Sequence, residues 1–190
     1  MKFDVVILGA GLGGLECGYT LSKNGYKVCV LEQNPLLGGC LQTFKRKGTS
    51  FDTGFHYIGG LAEGQHLNHL FHYFDLMSLP WKKLDETCFD EVIFNGKSYA
   101  FANGYEPFIE TLAKEFPNQK ENLKQYIATL SEIGRNIFHS FSPRDAEEFY
   151  QSKAFTQSAY DFLNETISDP TLRNVLAGTS LKMELHPEKL

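Results

Sequence analysis

The chain has 190 residues, of which 42% are hydrophobic and 22% are charged, so it can form one domain, or one domain and part of another, and it is not a disordered chain. Its net charge of -5 and the absence of a long basic run argue against nucleic acid as a partner, because phosphate contacts need clustered Lys and Arg. The single basic triplet, Lys45-Arg46-Lys47, precedes a glycine and is typical of a solvated turn.

The cysteines and the distribution of apolar residues predict in which cellular compartment the protein is found. The four cysteines form no CxxC pair, which disfavours a zinc site or a thioredoxin-like motif and is typical of a reducing compartment; they are Cys17, Cys29, Cys40 and Cys88. The first apolar run, residues 5–8, is too short for a signal peptide, and no stretch approaches the roughly 20 apolar residues of a membrane span. We therefore expect a cytoplasmic protein.

The N-terminal residues predict a strand–helix–strand unit. Residues 3–8 are apolar and rich in β-branched side chains, as in a buried parallel strand. Glycines follow, and then a helical segment from residue 13 to Asn24-Gly25, a pair that commonly ends a helix. Residues 26–31 predict a second buried strand, which completes a βαβ unit.

Two hairpins and a short helix are predicted next. Residues 41–44 and 50–53 can pair across a polar turn, and the leucines and phenylalanines of residues 67–74 recur at helical spacing. The second hairpin has the clearer signal, because Asn95-Gly96 joins residues 89–94 to residues 97–101.

From residue 105 onward the pattern is helical. One helix ends before Pro117, a longer one covers residues 123–141, Pro143 opens a third, and Asp169-Pro170 begins a fourth as N-cap and first-turn proline. The apolar stripe of the 123–141 helix predicts a core face, with the wall of a lipid tunnel as the alternative. The predicted fold class is α/β: a Rossmann-like βαβ unit within residues 1–62, followed over residues 63–190 by an α+β, mostly helical start of a substrate domain.

The glycine run between the first strand and the first helix carries the most specific signal. Gly9-Ala10-Gly11-Leu12-Gly13-Gly14 matches GxGxxG directly after a strand and at the start of a helix. In such a loop Gly9 permits the tight turn, Gly11 lets the backbone approach a pyrophosphate, and Gly14 lets helix and strand pack closely. The N-terminus of the helix then offers free N–H groups to the phosphates.

An acidic residue completes the dinucleotide pattern. Glu32 ends the second strand, 23 positions after Gly9, where a carboxylate accepts hydrogen bonds from ribose hydroxyls. Its charge repels a 2′-phosphate, so FAD or NAD is favoured over NADP.

The residues after Glu32 carry a family resemblance. Gly38-Gly39 and Phe51-Asp52-Thr53-Gly54 follow Glu32 in the order and spacing of the phytoene desaturase, carotenoid isomerase and retinol saturase group of FAD-dependent enzymes. The run 38–40 and the run 51–59 are especially similar to retinol saturases. The broader amine-oxidase relatives often have Arg where this chain has Cys40, which disfavours an amine-oxidase activity.

This resemblance implies an FAD-dependent oxidoreductase that acts on C=C bonds of a polyene or isoprenoid lipid, with NAD as the less favoured cofactor. It implies a set of cofactor-binding residues that line the two glycine turns and the following hairpin: Gly9, Gly11, Leu12, Gly13, Gly14, Glu32, Gln33, Gly38, Gly39, Cys40, Thr43, Asp52 and Gly54. His56 is a candidate for a position beside the substrate or the flavin, and a hydrogen-bonded structural histidine is the alternative. No catalytic residue is assigned.

Two other functions stay open at this point. A carotenoid isomerase uses reduced flavin without net redox change. GDP dissociation inhibitors of small GTPases resemble the N-terminus of this fold but bind no FAD, and the complete GxGxxG with Gly14 speaks against them. Peripheral contact with a membrane also stays open.

The three regularly spaced histidines of the chain do not predict a metal site. His66 and His72 point about 120° apart on a helix that turns about 100° per residue, so these two rings and that of His69 cannot converge.

The last expectation concerns completeness. Two strands make only a small part of a doubly wound sheet, so we expect a missing C-terminal portion, a partner chain or self-association to cover the open sheet.

Overall fold

The computed structural model describes residues 1–54, 57–139, 150–152 and 156–179. The chain divides into two compact units, Met1–Trp81 and Lys82–Leu190. The boundary between these units, at residues 81/82, lies later in the chain than the domain boundary predicted at residues 62/63, because the helix of residues 66–73 packs within the first unit.

The first unit is built around the predicted βαβ motif. Strand β1 (Val5–Leu8) leads into helix α1 (Leu12–Lys23), and strand β2 (Val28–Leu31) pairs in parallel with β1 in the register Val5↔Val28 to Leu8↔Leu31. Helix and sheet approach closely at Gly18, where a Cβ atom would lie 3.3 Å from Val30 Cγ2. The predicted Rossmann-like α/β fold is confirmed.

The prediction that both strands are buried is wrong for one face of the sheet. Along β1 the side chains alternate between half-buried and exposed, and Leu8 is 82% exposed. Val6 and Leu31 are exposed as well. The physical reason is that α1 covers one face only, and within the described residues neither strand pairs with a third.

A hairpin and a second helix complete the first unit. Strands β3 (Thr43–Arg46) and β4 (Thr49–Asp52) pair antiparallel, and Lys47 and Gly48 at the turn both have positive φ angles, 48° and 83°. The predicted hairpin is confirmed, with its strands shifted by one or two residues. Helix α2 (His66–Tyr73) confirms the helical spacing of that segment.

Side chains near the ends of α1 and α2 tie these two helices together. Lys23 Nζ donates a hydrogen bond to the carbonyl oxygen of Tyr73 at 2.7 Å and lies 4.6 Å from the centre of the Tyr73 ring. The Tyr19 hydroxyl donates to the Asp75 carboxylate, which raises the pKa of Tyr19. These contacts hold α2 against the helix that follows the glycine loop.

The second unit contains the larger core. Strands β5 (Asp90–Phe94) and β6 (Lys97–Phe101) form the predicted hairpin, with positive φ at both Asn95 and Gly96. Helices whose bounds lie within the described residues follow: α3 (Tyr105–Glu115), α4 (Lys120–His139), α5 (Ala159–Thr166) and α6 (Pro170–Ala177). Their apolar faces bury one cluster with the hairpin, which includes Tyr99, Phe101, Ile109, Leu112, Leu123, Ile167, Leu172 and Val175.

Two helix predictions for this unit are confirmed by local contacts. The Asp169 carboxylate caps α6 by accepting hydrogen bonds from the N–H groups of Thr171 and Leu172, at 2.8 and 3.0 Å. In α4, Leu123 is fully buried in the core, as the apolar stripe predicts, whereas Leu130 is exposed. The predicted helix start at Pro143 and the end of the 123–141 stripe lie outside the described residues. None of the described helices is long and apolar enough to span a bilayer.

Candidate dinucleotide site

The glycine loop makes a tight turn between β1 and α1. Gly9 has φ +99°, a conformation that glycine adopts without the strain of a side chain, and its N–H donates to the carbonyl oxygen of Leu31 at 2.7 Å. This bond continues the pairing of β1 with β2 by one residue. The chain then turns directly into α1 at Leu12.

Gly14 is the most sterically constrained position of the loop. A Cβ atom there would lie 2.0 Å from the carbonyl oxygen of Gly9, and 3.5 Å from Ile7 Cγ2. The first turn of α1 therefore lies against the end of β1, which is the close helix–strand approach that the motif predicts for this glycine.

A second glycine turn lies against the first. The N–H of Gly38 donates to the carbonyl oxygen of Ala10 at 2.8 Å, and Gly11 and Gly38 form an isolated parallel bridge. Gly39 has φ +57°, and a Cβ atom on it would lie 3.0 Å from Gly11 Cα. The two turns thus meet backbone to backbone, and a side chain on Gly39 would push them apart, whereas a Cβ atom on Gly11 would lie at an ordinary 3.9 Å from Gly39 Cα.

Glu32 connects the end of β2 to the glycine loop. Its Oε2 accepts a hydrogen bond from the Ala10 N–H at 2.8 Å, and its Oε1 accepts from the N–H and Nδ2 of Asn34, at 2.8 and 3.1 Å. These bonds, first of all the one from Ala10, lower the pKa of Glu32, because they favour the charged carboxylate. Glu32 is therefore ionised at neutral pH.

The base of the β3–β4 hairpin is tied to the second glycine turn. Thr53 Oγ1 lies 2.9 Å from the carbonyl oxygen of Cys40 and 2.7 Å from that of Gln42. A Cβ atom at Gly54 would lie 2.9 Å from the same Cys40 oxygen. Thr43 and Asp52 face each other as the first pair of the hairpin. The predicted residues Cys40, Thr43, Asp52 and Gly54 therefore share one small neighbourhood.

The N-terminus of α1 is open and suited to an anion. A Cβ atom at Gly13 would meet no atom within 4 Å, and Leu12 is exposed. The first turn of α1 contains no acidic residue, and its N-cap Gly11 provides no side chain to satisfy the free N–H groups. Such N–H groups, together with the helix dipole, favour a phosphate. The residues present thus fit the pyrophosphate of a dinucleotide.

Three residues of this site have structural roles that the motif did not reveal. Ala10 uses both its N–H and its carbonyl group to join Glu32 and Gly38 to the loop. Asn34 occupies one oxygen of Glu32, and Thr53 anchors the hairpin. The position of Ala10 between two motif glycines is the one sequence signal available, since the other two contacts depend on where the chain returns. Gln33 lies exposed beside Glu32.

The remaining candidates lie elsewhere or are not described. His56 lies outside the described residues, so its placement beside substrate or flavin stays a prediction. His66, His69 and His72 are all on α2, and the absence of a metal there also stays a prediction.

Fold and site together define a dinucleotide-binding protein of the Rossmann-like class. A family model described as an NAD(P)-binding Rossmann-like domain matches residues 7–74.

Similarity to characterised proteins extends through most of the chain. The all-trans-retinol 13,14-reductase of Danio rerio is 32% identical over 92% of this chain and 32% of its own length. The corresponding reductase of Homo sapiens is 34% identical over 73% of this chain and 23% of its own length. Prolycopene isomerase 1, chloroplastic, of an Oncidium hybrid cultivar is 24% identical over 90% of this chain and 32% of its own length. The chain spans about a third or less of these relatives. Over that part, the similarity confirms the predicted resemblance to the phytoene desaturase, carotenoid isomerase and retinol saturase group.

Proposed function

We propose that this chain provides the FAD-binding region of an oxidoreductase that acts on C=C bonds of a polyene or isoprenoid lipid. The observation that carries the proposal is the backbone contact between the two glycine turns, with Glu32 bonded to the first of them. Relatives named for retinol reduction and for prolycopene isomerisation support the substrate class.

The binding roles follow from the geometry of the loop. The N–H groups of residues 11–14 would hold the pyrophosphate, and Gly38 and Gly39 would border the nucleotide on the side of the second turn. Glu32 retains acceptor capacity, because each carboxylate oxygen can accept more than one hydrogen bond. Its ionised oxygens would bind ribose hydroxyls and repel a 2′-phosphate, which supports FAD or NAD against NADP.

The residues of this chain would bind and orient the cofactor, while the cofactor supplies the redox chemistry. FAD, when bound, accepts or donates the electrons of C=C bond reduction or desaturation. The residues of this chain position it: Gly14 keeps α1 close to β1, Glu32 fixes the loop, and Thr53 holds the hairpin base beside the second glycine turn. The second turn supports FAD over NAD, because it follows Glu32 at the family's spacing.

The direct test is cofactor identity. The purified protein should show a flavin absorbance spectrum or acquire one on incubation with FAD, and neither NAD nor NADP should displace the bound flavin. A protein that takes up NAD and no FAD under the same conditions would contradict the proposal. Gly134→Ala, on α4 with open space around it, is a control that should leave flavin content unchanged.

Isomerisation is the second candidate function, favoured by the prolycopene isomerase relatives. Mass spectrometry of the product separates the two, because an isomerase leaves the mass of the polyene unchanged whereas a saturase or desaturase adds or removes hydrogen. A protein that contains no flavin and binds a small GTPase would instead favour the GDP dissociation inhibitor alternative.

A further inference from the structure

The β3–β4 hairpin presents an aromatic pair to solvent. Phe44 and Phe51 face each other across the two strands, and their rings stack at a centroid distance of 5.2 Å with an interplanar angle of 16°. Both are exposed, at 46% and 44% of their full accessible area. Two large apolar side chains on an otherwise fully exposed hairpin indicate contact with something other than water.

The same hairpin concentrates positive charge at its tip. Lys45, Arg46 and Lys47 are consecutive and exposed, and none of the ion pairs found among the described residues includes any of them. Their cross-strand neighbours are the neutral Ser50 and Thr49. Among the described residues, three cations outside any ion pair therefore stand together on a chain whose net charge is -5.

The pleat of the strands determines which side chains share a face. Residues two apart on a strand point the same way, so Arg46 lies on the face of Phe44, with Lys45 on the opposite face and Lys47 at the turn. One face thus combines two rings with a guanidinium group. Aromatic rings and long cationic side chains are the residues that suit the interface between lipid headgroups and acyl chains.

We propose that the β3–β4 hairpin docks on the surface of an anionic phospholipid bilayer. The rings of Phe44 and Phe51 enter the interface, Arg46 on their face and Lys47 at the turn bind anionic headgroups, and the charge of Lys45 adds to the attraction from the opposite face. A nucleic acid suits this surface less well, because the rings stack on each other rather than on a base, and three residues at one turn form no groove along a strand.

Docking at this point places the glycine turns close to lipid. The hairpin base is hydrogen-bonded through Thr53 to the carbonyl oxygen of Cys40, directly after Gly38-Gly39. A bilayer contacted by the hairpin then lies close to the proposed cofactor-binding region, which would shorten the path of a lipid substrate from the bilayer to the enzyme. This last step rests on the proposed function, whereas the docking itself does not.

Vesicle co-sedimentation tests the charge component. Wild-type protein should bind phosphatidylcholine vesicles that contain phosphatidylserine, and it should bind pure phosphatidylcholine only weakly. The triple variant Lys45→Gln/Arg46→Gln/Lys47→Gln should lose about fivefold in binding per charge, or about hundredfold in total. The matched control, Lys82→Gln/Lys83→Gln, should bind as wild type. Equal binding of the triple variant, equal binding to both vesicle types, or no wild-type binding would each overturn the proposal.

Fluorescence tests the aromatic component. In Phe44→Trp, brominated lipids should quench the added emission, whereas the native Trp81, which bonds to the carbonyl oxygen of Leu76, should be unaffected in the wild-type control. An unquenched Phe44→Trp would overturn the proposal, as would a wild-type dimer that Phe44→Thr/Phe51→Thr converts to monomer. Flavin content of the triple variant should equal wild type, so failure of docking and failure of cofactor binding are measured separately.

Discussion

The backbone N–H of Ala10 donates a 2.8 Å hydrogen bond to Glu32 Oε2, across 22 positions of the chain. The residue expected to bind the nucleotide ribose therefore also holds the loop expected to bind the phosphates. Both halves of the candidate site depend on one carboxylate, which makes Glu32 the most informative residue to change.

Glu32→Ala should reduce retention of flavin by the purified protein. The change removes the acceptor for the ribose hydroxyls and also frees the Ala10 N–H, so the loop loses its anchor. Flavin per folded protein, measured by absorbance after gel filtration, checks this. Glu16→Ala removes an exposed carboxylate from α1 and should retain flavin as wild type. Equal flavin content in the Glu32 variant would show that the assignment of this residue is wrong.

Acid should destabilise the protein partly through Glu32. Its pKa is lower in the folded state than in the unfolded chain, so the folded state binds fewer protons in the acidic range. The stabilisation from Glu32 is therefore present above the unfolded value, near the 4.5 of an ordinary glutamate, and is lost as pH falls through the folded pKa. Thermal melts across this range should show a weaker acid dependence in Glu32→Gln than in wild type. Parallel pH profiles for the two proteins would contradict the role of Glu32.

Gly14→Ala and Gly13→Ala should differ sharply although they are neighbours. A methyl group at position 14 would overlap the carbonyl oxygen of Gly9, whereas one at position 13 meets open space. Forcing the backbone apart costs on the order of 1–3 kcal/mol or more. Urea unfolding should therefore show Gly14→Ala destabilised and Gly13→Ala nearly unchanged. Similar midpoints for the two variants would refute the close approach of α1 to β1.

Gly11→Val should abolish nucleotide binding while the chain still folds. A Cβ atom at this position meets only Gly39 Cα, at 3.9 Å, which is ordinary contact, so the fold tolerates it. The branched side chain would instead occupy the space over the loop that a pyrophosphate needs. Circular dichroism reports folding, and flavin absorbance reports binding. Retained flavin in a folded Gly11→Val protein would refute the loop assignment.

Two leucines of α4 that differ in burial test where the core of the second unit lies. Leu123 is fully buried and Leu130 is 40% exposed. Leu123→Ala should lower the free energy of unfolding by about 2–5 kcal/mol, because it removes apolar contacts and leaves a cavity. Leu130→Ala should cost much less. Denaturant titrations of the two variants give the comparison, and equal losses would place the core elsewhere.

Much of the secondary structure could be predicted because its causes are local. Gly9 requires a positive φ, Asn95-Gly96 matches the twist of its strands, and Asp169-Pro170 caps the helix it precedes. Each of these depends on residues a few positions apart, so the sequence pattern contains the information. The family resemblance is local in the same sense, since it rests on the spacing of residues 32–59.

The tertiary structure decided the contacts that join distant segments. Only the folded chain shows that Gly38 binds the carbonyl oxygen of Ala10, that Thr53 reaches Cys40, and that the hairpin leaves Phe44 exposed. The sequence by itself determined the glycine turns, the acidic end of β2 and the order of the elements. Which face of β1 is covered, and what surrounds Glu32, depend on where the chain returns in space, and apolar periodicity does not contain that information.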